Sequence, residues 1–395
     1  MSIKLSQRVQ AVKPSPTLAI TARAAELRAA GKDVIGLGAG EPDFDTPEHI
    51  KEAAIQAIHD GKTKYTPVDG TAELKQAVID KFNRDNGHHY SKEQILVSCG
   101  GKQSFYNLAQ ALLDPGDEVI IPAPYWVSYP DMTILAGGIP VYIRAGAAQQ
   151  FKITPEQLAA AITEKTRLLV LNSPSNPTGM AYTRAELEAL GEVLRQYPNI
   201  LVATDDMYEH ILWSDEPFCN ILMACPDLYN QTMVLNGVSK AYSMTGWRIG
   251  YAGGPPEIIK AMKKIQSQST SNPTSISQAA AVAALNGPQD AIGTMLGAFR
   301  ERHDYVVERL NGMNGIECLP TDGTFYVFPN IEGMIESTDG VSNDLEMGEY
   351  LIENAGVAVV PGSAFGLGGH MRISIATGMD ALENALDRIE KVTNG

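Results

Sequence analysis

Short apolar runs alternate with longer stretches of helical periodicity along the middle of the chain. The apolar runs lie at 95–98, 118–121, 168–172, 201–204, 233–235 and 249–252. The helical stretches include residues 47–61, 71–86, 102–113, 256–268 and 290–312. Continuous apolar strands separated by helices are typical of a parallel sheet that is buried on both faces. The pattern therefore predicts an α/β fold with a largely parallel sheet.

The N-terminal part of the chain predicts one helix and one short strand before this sheet. Ser15 is placed to cap the helix, Pro16 stands in its first turn, and Gly31 ends it. The short strand follows at 34–37. Turns rich in glycine and proline at 38–47 then separate these elements from the sheet.

After about residue 312 the pattern predicts a smaller α+β unit. Its short strands lie at 325–328, 358–360 and 371–375, and its helices at 344–355 and 379–392. The N-terminal helix and strand are expected to pack against this unit. We therefore predict an N-terminal arm at 1–14, a small domain made of 15–47 and 312–395, and a large domain at 48–311.

The composition is that of an acidic globular enzyme. The chain has 395 residues, of which 44% are hydrophobic and 19% are charged, and its net charge is −15. This charge disfavours nucleic acid and anionic membranes as partners. No stretch approaches ~18 uninterrupted apolar residues, and residues 1–14 lack the apolar segment of a secretory signal. The four cysteines have no metal-site spacing, so we expect free thiols in a cytoplasmic protein and no metal.

Lys240 is the first candidate catalytic residue. It follows the apolar run at 233–235, with small residues nearby at Gly237 and Ser239. A lysine at the end of a strand can reach into a cleft, where partial desolvation lowers its pKa toward that of a reactive amine. Such an amine can form a Schiff base with a carbonyl, which is how enzymes hold pyridoxal phosphate. Arg248, further along, is suited to bind a phosphate.

Three further segments supply groups that such a cofactor needs. The sequence Gly-Gly-Lys-Gln that ends at Gln103 opens a helix, and free backbone N–H groups at a helix start can bind a phosphate. Asp205 ends another strand, where it can pair with a protonated pyridine nitrogen, and Tyr208 follows it. Asn176, in a proline-rich turn after a third strand, can donate to a phenolic oxygen.

Two other side chains extend this set. Trp126 offers an aromatic face for stacking on a planar ring. Arg372, on the predicted strand at 371–375, can bind a carboxylate with two parallel hydrogen bonds. Each of these residues alone also has an ordinary explanation, such as a helix cap, a turn, a core aromatic side chain or a surface ion pair. Their joint occurrence at strand ends predicts a site for a phosphorylated pyridine aldehyde.

The glycine-rich run at 36–40 does not form a dinucleotide fingerprint. That fingerprint needs a third glycine at position 41, followed by a helix. The residue there is Glu41, and Pro42 and Pro47 come after it. A nicotinamide-dependent dehydrogenase is therefore not supported.

These motifs resemble those of one known family nearly from end to end. The matching segments are 39–47, 64–65, 100–103, 124–126, 172–179, 205–208, 239–250 and 359–362. The most specific is Ser-Lys-x-x-x-Met-Thr-Gly-Trp-Arg-Ile-Gly at 239–250. The chain resembles the class I pyridoxal-phosphate aminotransferases of fold type I, in the bacterial branch of smaller aspartate aminotransferases. The resemblance implies a large domain with a mostly parallel seven-stranded sheet flanked by helices, plus a smaller α+β domain.

The resemblance also implies roles for the matching residues. Lys240 would hold pyridoxal phosphate and move a proton at the substrate Cα once it is released, and Asp205 would hold the pyridine N–H. Further cofactor contacts would come from Tyr208, Asn176, Trp126, Arg248, the backbone of Gly101, Lys102 and Gln103, and Tyr65 across a homodimer interface. Arg372 and the Gly40 backbone would bind the substrate α-carboxylate, beside Trp126 and Asn176.

One position departs from the family pattern. Its members usually have a phosphate-binding serine three residues before the lysine, and this chain has Gly237 there. Other donors must compensate, or the phosphate is bound slightly less tightly.

The prediction of the substrate depends on fewer residues than that of the cofactor. The larger aspartate aminotransferases bind the distal carboxylate with an arginine, but this chain has no arginine between Arg248 and Arg300. In the smaller branch, a lysine at the position of Lys102 and hydroxyls at those of Ser15 and Thr17 are associated with acidic substrates. The resemblance thus implies L-aspartate and 2-oxoglutarate as substrates, with prephenate as a further acceptor.

Some alternatives within the same fold stay open. Methionine or aromatic amino acids could be the substrates, and the residues do not distinguish an aminotransferase from a fold type I C–S lyase. A regulator that joins this fold to a DNA-binding domain would need a basic helix-turn-helix extension. We do not expect one, because only residues 1–14 precede the first predicted helix.

Overall fold

One large sheet and two small ones organise the chain. The computed structural model describes residues 3–12, 14 and 16–393, and it describes the side chains in these ranges except those of residues 16–18 and 21. The strands in this part of the chain are β1 (Ile35–Gly36), β2 (Ile95–Ser98), β3 (Glu118–Ala123), β4 (Ile139–Arg144), β5 (Thr166–Asn172), β6 (Leu201–Asp205), β7 (Thr232–Gly237), β8 (Gly250–Gly253), β9 (Tyr326–Val327), β10 (Val357–Ala358), β11 (Val360–Pro361) and β12 (Met371–Ser374).

Helices surround these sheets. Those described are α1 (Gln7–Ala11), α2 (Pro16–Ala29), α3 (Glu48–His59), α4 (Ala72–Lys81), α5 (Gly101–Leu112), α6 (Ser128–Leu135), α7 (Pro155–Ala161), α8 (Arg184–Leu194), α9 (Ile221–Ala224), α10 (Pro256–Ser267), α11 (Ser275–Asn286), α12 (Asp290–Asn311), α13 (Glu332–Ser337), α14 (Asp344–Tyr350) and α15 (Met379–Thr393). None of the helices in the described part of the chain is both long enough and apolar enough to cross a membrane.

The large sheet has seven strands in the order β2-β8-β7-β6-β5-β3-β4. The strands from β7 through β6, β5 and β3 to β4 are parallel, whereas β8 runs antiparallel to both β2 and β7. The predicted, mostly parallel seven-stranded sheet is confirmed. Strand β4 was not predicted from the sequence. It is an edge strand of sequence Ile-Pro-Val-Tyr-Ile-Arg that is largely exposed and contains a proline, a residue that is uncommon inside strands.

Local sequence explains where several helices begin and end. Thr71 caps α4 by accepting a hydrogen bond of 3.3 Å from the Leu74 N–H. This helix continues as a π-helical turn, Phe82–Asn86, and stops at Gly87, whose φ of 70° favours glycine. The helix predicted at 15–31 is present as α2, and the short helix α1, which Ser6 caps, was not predicted. The predicted cap at Ser15 lies outside the described residues.

The smaller sheets bring the two ends of the chain together. Strand β1 pairs in parallel with β10, and β12 pairs with β11 and β9 in an antiparallel sheet. One hydrophobic cluster joins Leu37 to residues of these strands, such as Val327 and Ile373. The N-terminal strand therefore packs against the C-terminal unit, which is the arrangement expected for the small domain.

Helix α12 packs with this C-terminal unit as well. Its residues Met295, Phe299, Val306 and Leu310 are buried in the same hydrophobic cluster. The predicted boundary after residue 311 would separate this helix from the cluster in which it is buried. The domain boundaries stay a prediction, and this packing favours a boundary N-terminal to α12.

Candidate active site

A cleft of about 480 Å³ opens where the parallel strands of the large sheet end and the C-terminal unit faces them. Most of the predicted site residues line it: Gly40, Gly101, Lys102, Trp126, Asn176, Asp205, Tyr208, Lys240, Arg248 and Arg372. Parallel strands place residues that follow them at one edge of the sheet, which is where open α/β sheets bind ligands. The structure thus brings together side chains that are far apart in the sequence.

Lys240 follows β7 and points into this cleft. Its Nζ donates a hydrogen bond to the Gly40 carbonyl, and it lies 5.6 Å from the ring centroid of Phe325. Burial is the main cause that lowers the pKa of this amine to about 8, and the positive charges of Arg372 and Arg248 act in the same direction. A substantial part of the amine is therefore neutral, and able to act as a nucleophile or base, near neutral pH.

Asp205 stands at the end of β6 and presents its carboxylate to the cleft. The Tyr129 hydroxyl donates to its Oδ2 at 2.5 Å, and the Met207 N–H donates to its Oδ1 at 3.3 Å. Burial raises the pKa of this carboxyl, while these two hydrogen bonds and the charge of Lys240 oppose the rise. The carboxylate is thus held by donors from two elements and is suited to accept one more hydrogen bond from a cationic N–H.

The turn between β2 and α5 forms a cradle for an anion. The first helical residues, Gly101 and Lys102, present backbone N–H groups at the start of α5. The guanidinium of Arg248 lies directly over this turn, since a Cβ at Gly100 would stand 2.3 Å from its Nη2. The left-handed φ of 87° at Gly100 requires glycine for a second reason. Two N–H groups and a guanidinium meeting at one point suit a phosphate.

Gln103 lies in the same turn, but its polar groups have other partners. Its backbone N–H donates to the Gly100 carbonyl at 3.0 Å. Its side chain accepts from the Cys99 N–H and donates to the Thr270 hydroxyl, each at 2.7 Å. Gln103 therefore closes the turn and does not line the cleft.

Arg372 lies at the opposite wall of the cleft and is only 2% exposed. Its Nη1 donates to Asn176 Oδ1 and its Nη2 to the Gly38 carbonyl, each at 2.8 Å. The guanidinium stacks over the ring of Tyr326 at 4.2 Å. Its buried Nε has no hydrogen-bond partner among the described residues. A buried donor without an acceptor is costly, so this wall is suited to an incoming carboxylate.

Lys102 and Trp126 meet at the cleft. The Lys102 Nζ lies 5.2 Å from the Trp126 ring centroid. Burial, followed by the positive charge of Arg248, lowers the pKa of this lysine, and Asp131 opposes the shift. The cleft therefore has, besides Arg248 and Arg372, a further positive group with an aromatic ring next to it.

Besides Gln103, the predicted residue Tyr65 is not among the residues that line the cleft. Its side chain is 91% exposed. Ser15 lies outside the described residues, and so does the side chain of Thr17. The structure therefore leaves the roles predicted for these three residues as predictions.

Among the cleft-lining residues that were not predicted from the sequence, Tyr129 and Tyr326 have hydroxyl groups that contact predicted site residues. Tyr129 lies on α6, a helix with no apolar periodicity that was not predicted. Tyr326 lies on β9, and its hydroxyl is 3.1 Å from that of Tyr208. The sequence offered one signal for Tyr129. It lies three residues after Trp126, so a helical turn would place the two side chains on the same face.

The donors and acceptors of this cleft fit pyridoxal phosphate. The neutralisable amine of Lys240 suits an aldehyde, the carboxylate of Asp205 suits a protonated ring nitrogen, and the cradle beside Arg248 suits a phosphate. The buried Arg372 Nε, which lacks an acceptor, suits the carboxylate of an amino acid. A fold type I cleft with these four groups defines a pyridoxal-phosphate enzyme.

Comparison with known proteins identifies the family. Residues 32–389 match the model of the aminotransferase class I and II family, so this chain belongs to that family, whose class I members use pyridoxal phosphate. The chain is 61% identical to an aspartate/prephenate aminotransferase of Nitrosomonas europaea, over 98% of this chain and 99% of the relative. It is 55% identical to an aspartate/prephenate aminotransferase of Cereibacter sphaeroides, over 99% of each chain.

Solved structures of aspartate aminotransferases have the same fold. The enzyme of Rhizobium meliloti superposes with a TM-score of 0.96 at 50% identity, over 100% of this chain and 99% of that one. The enzyme of Thermus thermophilus with maleate superposes with a TM-score of 0.93 at 44% identity, over 99% of this chain and 100% of that one. The predicted family and fold class are thereby confirmed.

Proposed function

We propose that this protein is an aminotransferase that moves the amino group of L-aspartate to 2-oxoglutarate, with prephenate as a further amino-group acceptor. The observation that carries the proposal is the cleft itself, in which Lys240 and Asp205 lie between two positive groups, Arg372 and Lys102. The names of the two relatives at 61% and 55% identity support the same substrates.

Named residues would hold the cofactor. Lys240 would bind its aldehyde carbon and Asp205 its pyridine nitrogen, while Arg248 and the N–H groups of Gly101 and Lys102 would bind its phosphate. Tyr208 and Asn176 would donate to its phenolic oxygen, and Trp126 would stack on its ring. When bound, pyridoxal phosphate supplies an electron sink for the bond that breaks at the substrate Cα.

The protein contributes a base next to that bond. A pKa of about 8 leaves part of Lys240 neutral at physiological pH, so its Nζ can take the proton from the substrate Cα. The hydrogen bond from its Nζ to the Gly40 carbonyl gives the free lysine a defined position at the wall where the substrate binds. One residue would therefore serve first as the attachment point and then as the base.

Two positive groups would select a dicarboxylic substrate. Arg372 would bind the α-carboxylate together with the Gly40 backbone, because its guanidinium is fixed by Asn176 and has a donor to spare. Lys102 would bind the distal carboxylate, with Ser15 and Thr17 as further hydroxyl donors. A flexible ammonium tolerates acids of different length, which suits aspartate, 2-oxoglutarate and prephenate alike.

The functional unit would be a cytoplasmic homodimer. Tyr65 is 91% exposed, an unusual state for a large aromatic side chain, and it lies in a matching family segment. In a dimer its hydroxyl would reach the phosphate in the cleft of the other subunit. Each active site would then be completed by the second copy.

An absorbance titration of the purified protein tests this function. The cofactor band should convert to that of its amino form with aspartate at lower concentrations than with methionine or phenylalanine, and 2-oxoglutarate or prephenate should restore it. A Lys240→Ala variant should fail to convert at all. A stable band that aspartate leaves unchanged would contradict the substrate, and release of sulfide from cysteine-type substrates would favour a C–S lyase instead.

A further inference from the structure

Lys81 and Glu209 form a buried ion pair outside the cleft. Lys81 ends α4, and Glu209 lies in the turn after β6. Only 1% of the Lys81 side chain and 3% of the Glu209 side chain are exposed. Asn86 joins the two, since Lys81 Nζ donates to Asn86 Oδ1 and Asn86 Nδ2 donates to Glu209 Oε2, each at 2.8 Å.

The Glu209 carboxylate also connects the ends of β6 and β7, which are followed by the catalytic candidates of the cleft. It follows Tyr208 in the turn that begins at Asp205. Its Oε1 accepts a hydrogen bond of 2.7 Å from Asn236 Nδ2 near the end of β7. The Oδ1 of Asn236 in turn accepts from the Gly237 N–H at 2.7 Å. The segment from Gly237 leads directly to Lys240. The Glu209 carboxylate therefore links the turn after β6 to the end of β7, three residues before Lys240.

The Lys81 ammonium lies beside a cluster of three side chains of the kind that bind a cation. One ligand-type atom from each of Asp85, Glu209 and His210 lies within 4.8 Å of the others. The Lys81 ammonium contacts Glu209 and lies 3.7 Å from Asp85 Oδ2. Burial raises the pKa of the Glu209 carboxyl, but the charge of Lys81 and the hydrogen bonds from Asn86 and Lys81 oppose the rise, and the pKa is lowered overall. The carboxylate therefore stays ionised and can hold Asn236.

We propose that Lys81 and Glu209 are positioning residues for the cofactor site, which fix the distance between Asp205 and Lys240 through Asn236. This inference rests on the proposed role of Asp205 and Lys240 as cofactor-binding residues. Neither Lys81 nor Glu209 lines the cleft, so neither touches the cofactor or the substrate. Their effect is on geometry, and a shift of ~1 Å between reacting groups can cost about a hundredfold in rate.

A buried ion pair responds differently to the loss of one partner and to the loss of both. Removing one partner leaves the other charge buried without compensation, whereas replacing both with neutral groups of similar volume is often tolerated. In a Lys81→Met or Glu209→Gln variant, the remaining charge would seek a new partner and move the turn after β6. In the double variant, the new side-chain amide at position 209 could still accept from Asn236 and donate to a reoriented Asn86 amide. The double variant should therefore keep the strand ends in place.

The experiment measures how the apoprotein binds pyridoxal phosphate. The dissociation constant comes from an absorbance titration, and the visible circular dichroism of the bound cofactor reports its surroundings. We expect each single variant to raise the dissociation constant about tenfold or more and to change the dichroism, while the double variant stays within about threefold of the wild type. Asn236→Ala, which leaves the ion pair intact and cuts its link to β7, should behave like the single variants in both measurements.

Lys152→Met is the control. Lys152 is 8% exposed and pairs at 2.7 Å with Glu186, whose side chain is 40% exposed, and neither residue lines the cleft. This variant should lose thermal stability but bind the cofactor within about twofold of the wild type. Unchanged binding and dichroism in the single variants and in Asn236→Ala, or an equal loss in Lys152→Met, would overturn the inference. Failure of the wild-type protein itself to bind pyridoxal phosphate would instead overturn the proposed function.

Discussion

Tyr129 donates a hydrogen bond of 2.5 Å to the carboxylate of Asp205, across a gap of 76 residues in the chain. The ring of Tyr129 is buried against Phe105 and Trp126, with centroid distances of 4.9 Å and 5.2 Å. Its orientation is therefore fixed by packing. The second Asp205 oxygen accepts only a longer bond, 3.3 Å, from Met207 N–H. Tyr129 is thus the stronger of the two hydrogen-bond donors that the structure gives this carboxylate.

We expect Tyr129→Phe to weaken the hold of the protein on the cofactor. A hydrogen bond to a charged group contributes ~1.5–3 kcal/mol, and its loss would raise the pKa of the buried Asp205 carboxyl further. The dissociation constant for pyridoxal phosphate should rise about tenfold, with a similar fall in kcat/KM. Tyr182→Phe is the control, because the Tyr182 hydroxyl is also buried and accepts from the Ile153 N–H at 2.9 Å, but lies outside the cleft. Equal effects in both variants would contradict a specific role for Tyr129.

Strand ends were predictable from the sequence because they depend on short-range patterns. The runs that became β2, β5, β6 and β7 are apolar over consecutive residues, and the polar residue that follows each run is visible at once. A parallel sheet then places those residues at one edge. The positions of Lys240, Asp205 and Asn176 in one cleft follow from these two facts.

The partners of those residues could not be predicted in the same way. The contact between Tyr208 and Tyr326 spans 118 residues, and that between Lys240 and Gly40 spans 200. Neither contact leaves a trace in local periodicity, because each depends on how the C-terminal unit sits over the sheet. Edge strand β4 was missed for a different reason, since the proline in its apolar run Ile-Pro-Val-Tyr-Ile argues against a strand, and an edge position tolerates it. Local pattern thus predicts which side chains reach the edge, and tertiary packing decides what they meet.

We expect Lys102→Ser to change the substrate preference. The loss of a charged hydrogen-bond donor to the distal carboxylate costs ~1.5–3 kcal/mol, which corresponds to a rise of about tenfold to a hundredfold in KM for aspartate. KM for methionine and phenylalanine, which have no distal charge, should stay within about twofold of the wild type. Steady-state kinetics with these three donors measures the effect. An equal rise for all three would mean that Lys102 serves the phosphate cradle and not the substrate.

We expect Gly237→Ser to destabilise the protein and not to improve phosphate binding. A Cβ at Gly237 would lie 3.0 Å from the Ile249 carbonyl and 3.1 Å from both Gly250 Cα and Met207 Cε. Overpacking of this kind costs ~1–3 kcal/mol, which denaturant unfolding would measure. Gly293→Ser on α12 is the control, because nothing lies within 4 Å of its added Cβ. Tighter binding of pyridoxal phosphate with unchanged stability would show that the backbone accommodates the serine of other family members.

The pH dependence of cofactor attachment should report the pKa of Lys240. Burial, then the charge of Arg372, lowers that pKa from 10.5 to about 8, and only the neutral amine attacks an aldehyde. The rate at which the apoprotein attaches pyridoxal phosphate should therefore rise about tenfold per pH unit below pH 8 and level off above it. Stopped-flow absorbance between about pH 6 and pH 10 measures this rate. Arg372→Met removes the largest neighbouring charge, so the plateau should move to higher pH. A wild-type rate that keeps rising toward pH 10 would show that the cleft does not lower the pKa of Lys240.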